Sequence, residues 1–143
     1  MSEKQIPGKS VIPVLLSIVA SLSGCAGYQS EADILAKEQA RNISMNLPVK
    51  SANYTLISAQ NSGALIKMVV ISEGTGQLTL NPDVFLTQFQ YQICTDPAMK
   101  AMMSKGVYYI IKINEIRTGN QYQRKLDRTT CGIIKNIISD MPQ

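Results

Sequence analysis

At 143 residues, 45% of them apolar, the chain has room for one modest hydrophobic core rather than several. Its formal net charge of +4, with no like-charged run longer than Arg124-Lys125, is not the basic stripe of a nucleic-acid binder. The absence of histidine removes the commonest general base and the commonest nitrogen ligand of zinc or copper, so no catalytic residue, metal site or cofactor is assigned.

The amino-terminal segment has three parts. Lys4 and Lys9 precede an apolar stretch from Val11 to Leu22, broken by Pro13, and the small residues Ser23 and Gly24 stand directly before Cys25. This is the pattern of an export signal. The apolar run is too short for the roughly 20 residues that a membrane-spanning helix needs, so it reads as cleaved. Leu22-Ser23-Gly24-Cys25 resembles the lipobox of bacterial lipoproteins. That resemblance implies a diacylglycerol on the Cys25 thiol, cleavage before it and acylation of the new amino group; several acyl chains give lasting attachment where one does not. Ala26, in place of an aspartate after the cysteine, implies the periplasmic face of the outer membrane, with the lipoprotein sorting machinery as a partner. The expected organisation is a signal peptide over 1–24, a lipidated tether over 25–30 and a single domain over 31–143.

Ser30 followed by Asp33 reads as a capping-box variant opening a helix to about Met45. Ile34, Ala36, Ala40, Ile43 and Leu47 give it an apolar side, and Pro48 ends it. Tyr54 to Ala59 and Ala64 to Ile71 form a hairpin around Gln60-Asn61-Ser62-Gly63. The second of these strands is apolar on both faces except for Lys67, which predicts a central position with cover on each side. Glu73 to Gln77 is a loop whose glycines lack phosphate-binding spacing, and Leu78 to Leu80 is a candidate edge strand.

Asn81-Pro82-Asp83 supplies an N-cap, a first-turn proline and an acid suited to the helix dipole, so a helix runs from there to Cys94. Asp96-Pro97 starts a second, shorter helix through Ser104, stopped by Gly106. Val107 to Ile116 is the strongest strand signal, with Val107, Tyr109, Ile111 and Ile113 on one face and Tyr108, Ile110, Lys112 and Asn114 on the other. Arg117-Thr118-Gly119-Asn120 turns it into a strand over Gln121 to Asp127, and Thr129 or Thr130 caps a last helix from about Cys131 to Ser139. This order predicts an α+β fold: an antiparallel four- to five-stranded sheet with helices packed mainly on one face.

With Cys25 acylated, Cys94 and Cys131 remain in an oxidising compartment, where such a pair joins. The disulfide would close a loop of about 38 residues, for which chain entropy sets an upper guide of about 4 kcal/mol.

The stretch from Thr118 to Gly132, reading TGNQYQRKLDRTTCG, together with Asn46 to Ala52 and Tyr54-Thr55-Leu56, is similar to the alternative or beta-class pilotins of the bacterial type II secretion system. The likeness includes the lipobox at Cys25 and the cysteines at 94 and 131. It implies a periplasmic lipoprotein that binds a short helix near the C-terminus of the secretin, the outer-membrane channel subunit, and directs its targeting and assembly. Such a helix needs an apolar trough with a polar rim. Candidate trough residues are Phe85, Phe89, Met99, Met102, Met103, Tyr108 and Ile110, aromatic or flexible side chains on elements near the disulfide. Two alternatives stand beside this reading: a periplasmic lipoprotein that binds or inhibits another protein or ligand, and a lipid-anchored hydrolase using Ser104 and Lys105.

Overall fold

The computed structural model describes residues 27–73 and 80–139. The signal segment, Cys25, the loop from Gly74 to Gln77 and most of the expected edge strand at Leu78 to Leu80 lie outside the described residues; Leu80 itself belongs to no strand. In chain order the elements are α1 (Glu31–Ser44), β1 (Val49–Ser51), β2 (Tyr54–Ser62), β3 (Leu65–Ser72), α2 (Pro82–Thr95), α3 (Pro97–Ser104), β4 (Tyr108–Glu115), β5 (Gln121–Leu126) and α4 (Arg128–Ser139). The strands form a five-stranded sheet in sequential order, β1-β2-β3-β4-β5.

Local chemistry sets the helix ends. The Ser30 hydroxyl accepts from the Asp33 amide at 3.2 Å, and the Asp33 carboxylate accepts from the Ser30 amide at 3.3 Å, a reciprocal box that satisfies two otherwise orphaned donors. The Asn81 side chain accepts from the Asp83 amide and the Asp96 carboxylate from the Ala98 and Met99 amides, capping α2 and α3 ahead of a proline at the first helical position. Helix α4 begins three residues before the expected Cys131, and its cap is Asp127 rather than Thr129 or Thr130. The Asp127 carboxylate accepts from the Thr130 amide at 2.8 Å while the Thr130 hydroxyl accepts from the Asp127 amide at 2.7 Å. The Thr130 amide, with Lys125 alongside, holds the Asp127 carboxyl below the usual aspartate range.

Helix α1 lies against the sheet through Ala32, Ala36 and Ala40, all buried and spaced four apart, so its backbone can approach β2 and β3 closely. Ile34, expected on the apolar side, is 53% exposed, because the alanine stripe and not the larger side chains faces the strands. The sheet's inner face is completed by Ile66, Met68 and Val70 from β3 and by Tyr109, Ile111 and Ile113 from β4, each 2% exposed or less.

Two departures from expectation concern the sheet. Strand β1 is short and wholly exposed, and its turn into β2 places Ala52 at a φ of 51°, so neither alternation nor a glycine marked it in the sequence. The sheet is also not wholly antiparallel: β3 and β4 pair in parallel, Leu65 opposite Tyr108 through Ser72 opposite Glu115. Parallel neighbours need a long crossover, and the segment carrying α2 and α3 provides it. The crossover covers one face only. On β3 the outward Leu65, Val69 and Ile71 remain partly exposed, so the expected cover on each side is absent on that face among the described residues.

The expected disulfide is present. Cys94, in the last turn of α2, and Cys131, in the first turn of α4, are bonded with their Cα atoms 5.3 Å apart. The bond ties the crossover to the helix that follows β5, and Arg124 of β5 adds a polar tie by donating to Thr87 at 3.1 Å and Gln90 at 3.3 Å on α2.

Replacing both Cys94 and Cys131 by Ser should lower stability by up to about 4 kcal/mol, from the loop entropy returned to the unfolded chain. That loss should appear as a fall of up to about 15 °C in thermal melting under non-reducing conditions; an unchanged melting temperature would mean that the bridge carries no stability.

Candidate functional site

Between α1 and α2 the inner face of the sheet is not fully covered. One depression, about 260 Å³, is floored by Leu56, Met68 and Tyr109 and walled by Ile43 of α1, Phe89 and Ile93 of α2 and Met99 of α3. A second, about 170 Å³, continues toward the sheet edge over Tyr54, Leu56 and Val70, with Phe85 and Phe89 on one side and Val49 of β1 at the open end. Leu56, Phe89 and Gln92 line both, so the two make one trough. Its polar residues, Ser51, Gln88, Gln92 and Asp96, are all exposed and form its rim.

The trough's shape follows from its supports. Leu56, two residues after Tyr54, points inward beside it while Ile57 turns out and is 44% exposed, and a β-bulge between Leu56 and Ser58 then makes Ala59 the next buried residue of the strand. The Phe85 ring stacks on Tyr54 at 4.0 Å between centroids, and Phe89 follows Phe85 at 5.9 Å, a graded aromatic wall. The Tyr54 hydroxyl donates to the Leu80 carbonyl at 2.6 Å, and Asn53 bridges the Leu80 amide and the Ser72 hydroxyl. These bonds fix the start of α2 against the ends of β2 and β3. At the other end the Tyr109 hydroxyl donates to the Met99 sulfur at 3.0 Å, and the Gln39 amide donates to the same sulfur at 3.7 Å. A flexible methionine is thereby held in one pose under α1. Burial, with a smaller contribution from Asp96, pushes the Tyr109 hydroxyl up to about 12.

Of the candidate residues, Phe85, Phe89 and Met99 line the trough. Met102 is partly buried against the core, and Met103 is 4% exposed and lies 3.6 Å from the Cys131 sulfur, so it supports the disulfide from within. Tyr108 and Ile110 alternate with the buried Tyr109 and Ile111 and face the opposite side of the sheet, away from the trough. Ile43, Val49, Tyr54, Leu56, Met68, Val70 and Tyr109 were not singled out from sequence as trough residues, although the alternation of Tyr54 with Leu56 and of Met68 with Val70 marks them as inward-facing. Ser104 and Lys105 do not form a catalytic pair: the Ser104 hydroxyl donates to the Ala101 carbonyl, and Lys105 pairs with Glu31.

An apolar, polar-rimmed trough across the helical face of a sheet is the kind of surface that receives an apolar helix. The family model described as "Type II secretion system (T2SS) pilotin, S protein" matches residues 28–131. The chain belongs to that family. It is 58% identical over 135 residues to "Pilotin AspS 2" of an Escherichia coli ETEC strain, covering 94% of this chain and 99% of that one. "Lipoprotein YghG" of another Escherichia coli strain matches with the same identity and coverage, 58% over 94% of this chain and 99% of the relative. Among solved structures, the ETEC pilotin–secretin AspS–GspD complex matches with a TM-score of 0.52 and 47% identity, over 75% of this chain and all of that one.

The raised Tyr109 value has a definite sign. The neutral phenol is favoured in the fold, so the stabilisation is present below the unfolded tyrosine value of about 10 and is lost as pH rises toward the folded value of about 12. Denaturant titrations between pH 9 and 12 should therefore show falling stability. In Tyr109→Phe that fall should be shallower, with Tyr54, also raised by burial, accounting for part of the remainder.

Proposed function

We propose that this chain is an outer-membrane lipoprotein pilotin whose trough seats a C-terminal helix of the type II secretion secretin, and whose lipid on Cys25 carries that subunit to the outer membrane for assembly. The observation that carries the reading is the continuous apolar floor of Tyr54, Leu56, Met68 and Val70 beside an aromatic wall, within a chain of the pilotin family. The solved complex of a relative with its secretin supports the partner, and the relative named a lipoprotein supports the anchor. The work done is binding and delivery, with no turnover. The leader over 1–24 and tether over 25–30 give the lipid its place, and 31–143 forms the binding domain.

An α-helix with its side chains is about 10 Å across, so it meets the trough along one face and keeps the other in water. The floor and wall then bury the helix's apolar anchors while Gln88, Gln92 and Asp96 meet its polar flanks. No covalent step is needed. Burial of apolar surface drives association and shields the segment until the ring assembles.

Calorimetric titration of the mature chain with a peptide from the secretin's C-terminal end should give saturable one-to-one binding with a negative heat-capacity change. Phe89→Ala should weaken it by about thirtyfold, the size of a buried hot spot. Peptide binding that is absent, or indifferent to Phe89, would move the site elsewhere. In cells, Cys25→Ala should leave the domain folded but the secretin outside the outer-membrane fraction; normal secretin fractionation in that strain would sink the anchor mechanism.

A further inference from the structure

The face of the sheet opposite the trough has its own chemistry. Lys67, Lys112 and Lys125 all point outward there, interleaved with the partly exposed Leu65, Tyr108 and Ile110. Across the strands Lys67 sits opposite Ile110, and Ile110 opposite Lys125. The Lys125 ammonium lies 5.1 Å from the centre of the Tyr108 ring and 3.3 Å from the Asp127 carboxylate. Lys67 and Lys112 form no ion pair with a carboxylate among the described residues. The surface is thus cationic and amphipathic together, long aliphatic stems lying over apolar neighbours with the charges outermost.

Its position relative to the tether selects the occupant. Helix α1 starts beside the β2–β3 turn and the α3–β4 junction: Lys105 pairs with Glu31, and a Cβ on Gly106 would stand 3.6 Å from that of Ala32. The Tyr108 amide donates to the Ala64 carbonyl at 3.1 Å, so the chain enters the domain at the end of the sheet where Leu65 faces Tyr108. The stretch from Cys25 to Glu31 can span no more than roughly 20 Å. Within it Tyr28 is 97% exposed, a side chain of the type that settles at the headgroup level. A lipid on Cys25 holds this end of the sheet next to a membrane at high effective concentration, so weak attractions there become persistent contacts.

We propose that the outward face of the sheet is a membrane-docking surface: Lys67, Lys112 and Lys125 engage anionic lipid headgroups while Tyr108 and Ile110 rest at the interface. The inference rests on the lipid-anchor reading of Cys25. Its consequence is orientation, because the sheet then lies between membrane and trough, and the trough opens toward the periplasm where an unassembled partner helix arrives.

The test uses the whole mature chain, residue 25 onward, carrying Cys25→Ser so that the lipid does not mask the surface. Sedimentation with vesicles of phosphatidylethanolamine and phosphatidylglycerol should show binding that salt reverses, with little binding to phosphatidylcholine vesicles. A juxtamembrane lysine contributes about fivefold, and Lys125 shares its charge with Asp127, so the triple variant Lys67→Gln, Lys112→Gln, Lys125→Gln should lose at least about tenfold. Its melting and its affinity for the secretin peptide should stay unchanged, which separates docking from folding and from the trough. Equal partition onto charged and neutral vesicles overturns the proposal, as does a triple variant that binds like the parent. Tighter binding to a polyglutamate peptide than to anionic vesicles also overturns it, in favour of an acidic protein partner. Mass spectrometry of Cys25 in the cell-made protein judges the anchor separately; an unlipidated Cys25 would remove that reading while the vesicle result still decides the surface.

Discussion

The parallel pairing of β3 with β4 constrains everything else in this domain. Antiparallel neighbours could have been joined by a tight turn, but parallel ones oblige the chain to return to the starting end of the sheet, and here it returns through two helices laid over one face. Because α1 already covers β2 and β3 on that face, α2 stops short of it, while α3 meets α1 where Gln39 donates to the Met99 sulfur. The gap between α1 and α2 is the trough. Its floor is therefore the core itself: Tyr54, Met68, Val70 and Tyr109 are almost fully buried beneath it, with Leu56 partly exposed, which gives the trough the apolar character of an interior.

Keeping such a gap open requires its walls to resist collapse, since an apolar cleft in water gains by closing. On the α2 side, the disulfide from Cys94 to Cys131 and the Arg124 bonds to Thr87 and Gln90 tie the helix to α4 and β5, outward from the trough. Asn53 and the Tyr54 hydroxyl hold the start of the helix down at Leu80. Across the gap, the alanine stripe seats α1 close to the strands with little freedom to slide. The disulfide thus has two roles, stabilising a small core and holding α2 in place as one wall of the trough.

What the sequence made legible was local. Capping boxes and first-turn prolines are read by neighbouring backbone groups, and the alternation along β4 survives intact because that strand is central and buried on one face. Phe85, Phe89 and Met99, picked for aromatic or flexible character, lie on the helices that wall the trough and line it. What stayed hidden was set by partners distant in sequence. The direction of β4 relative to β3 leaves no mark in either strand; β1 exists only because β2 offers an edge; and the bulge after Leu56 breaks the alternation of β2, so that Ala59 and not Ser58 is the next buried residue. Tyr108 and Ile110 were selected for their character, but an even-numbered place on β4 is decided by the odd-numbered core residues, which claim the helical side.

That division of β4 into two faces carries a functional argument of its own. A delivery protein must hold two things at once, a membrane and a cargo helix, without either obstructing the other. On the proposed reading a single strand whose alternate residues face opposite sides serves both with a spacer one sheet thick: Tyr109 helps floor the trough while Tyr108, one residue earlier, faces away. Since β4 is hydrogen-bonded on both edges, neither face can shift without breaking ladders to β3 and β5, so the angle between the lysine-bearing face and the trough is fixed by the backbone.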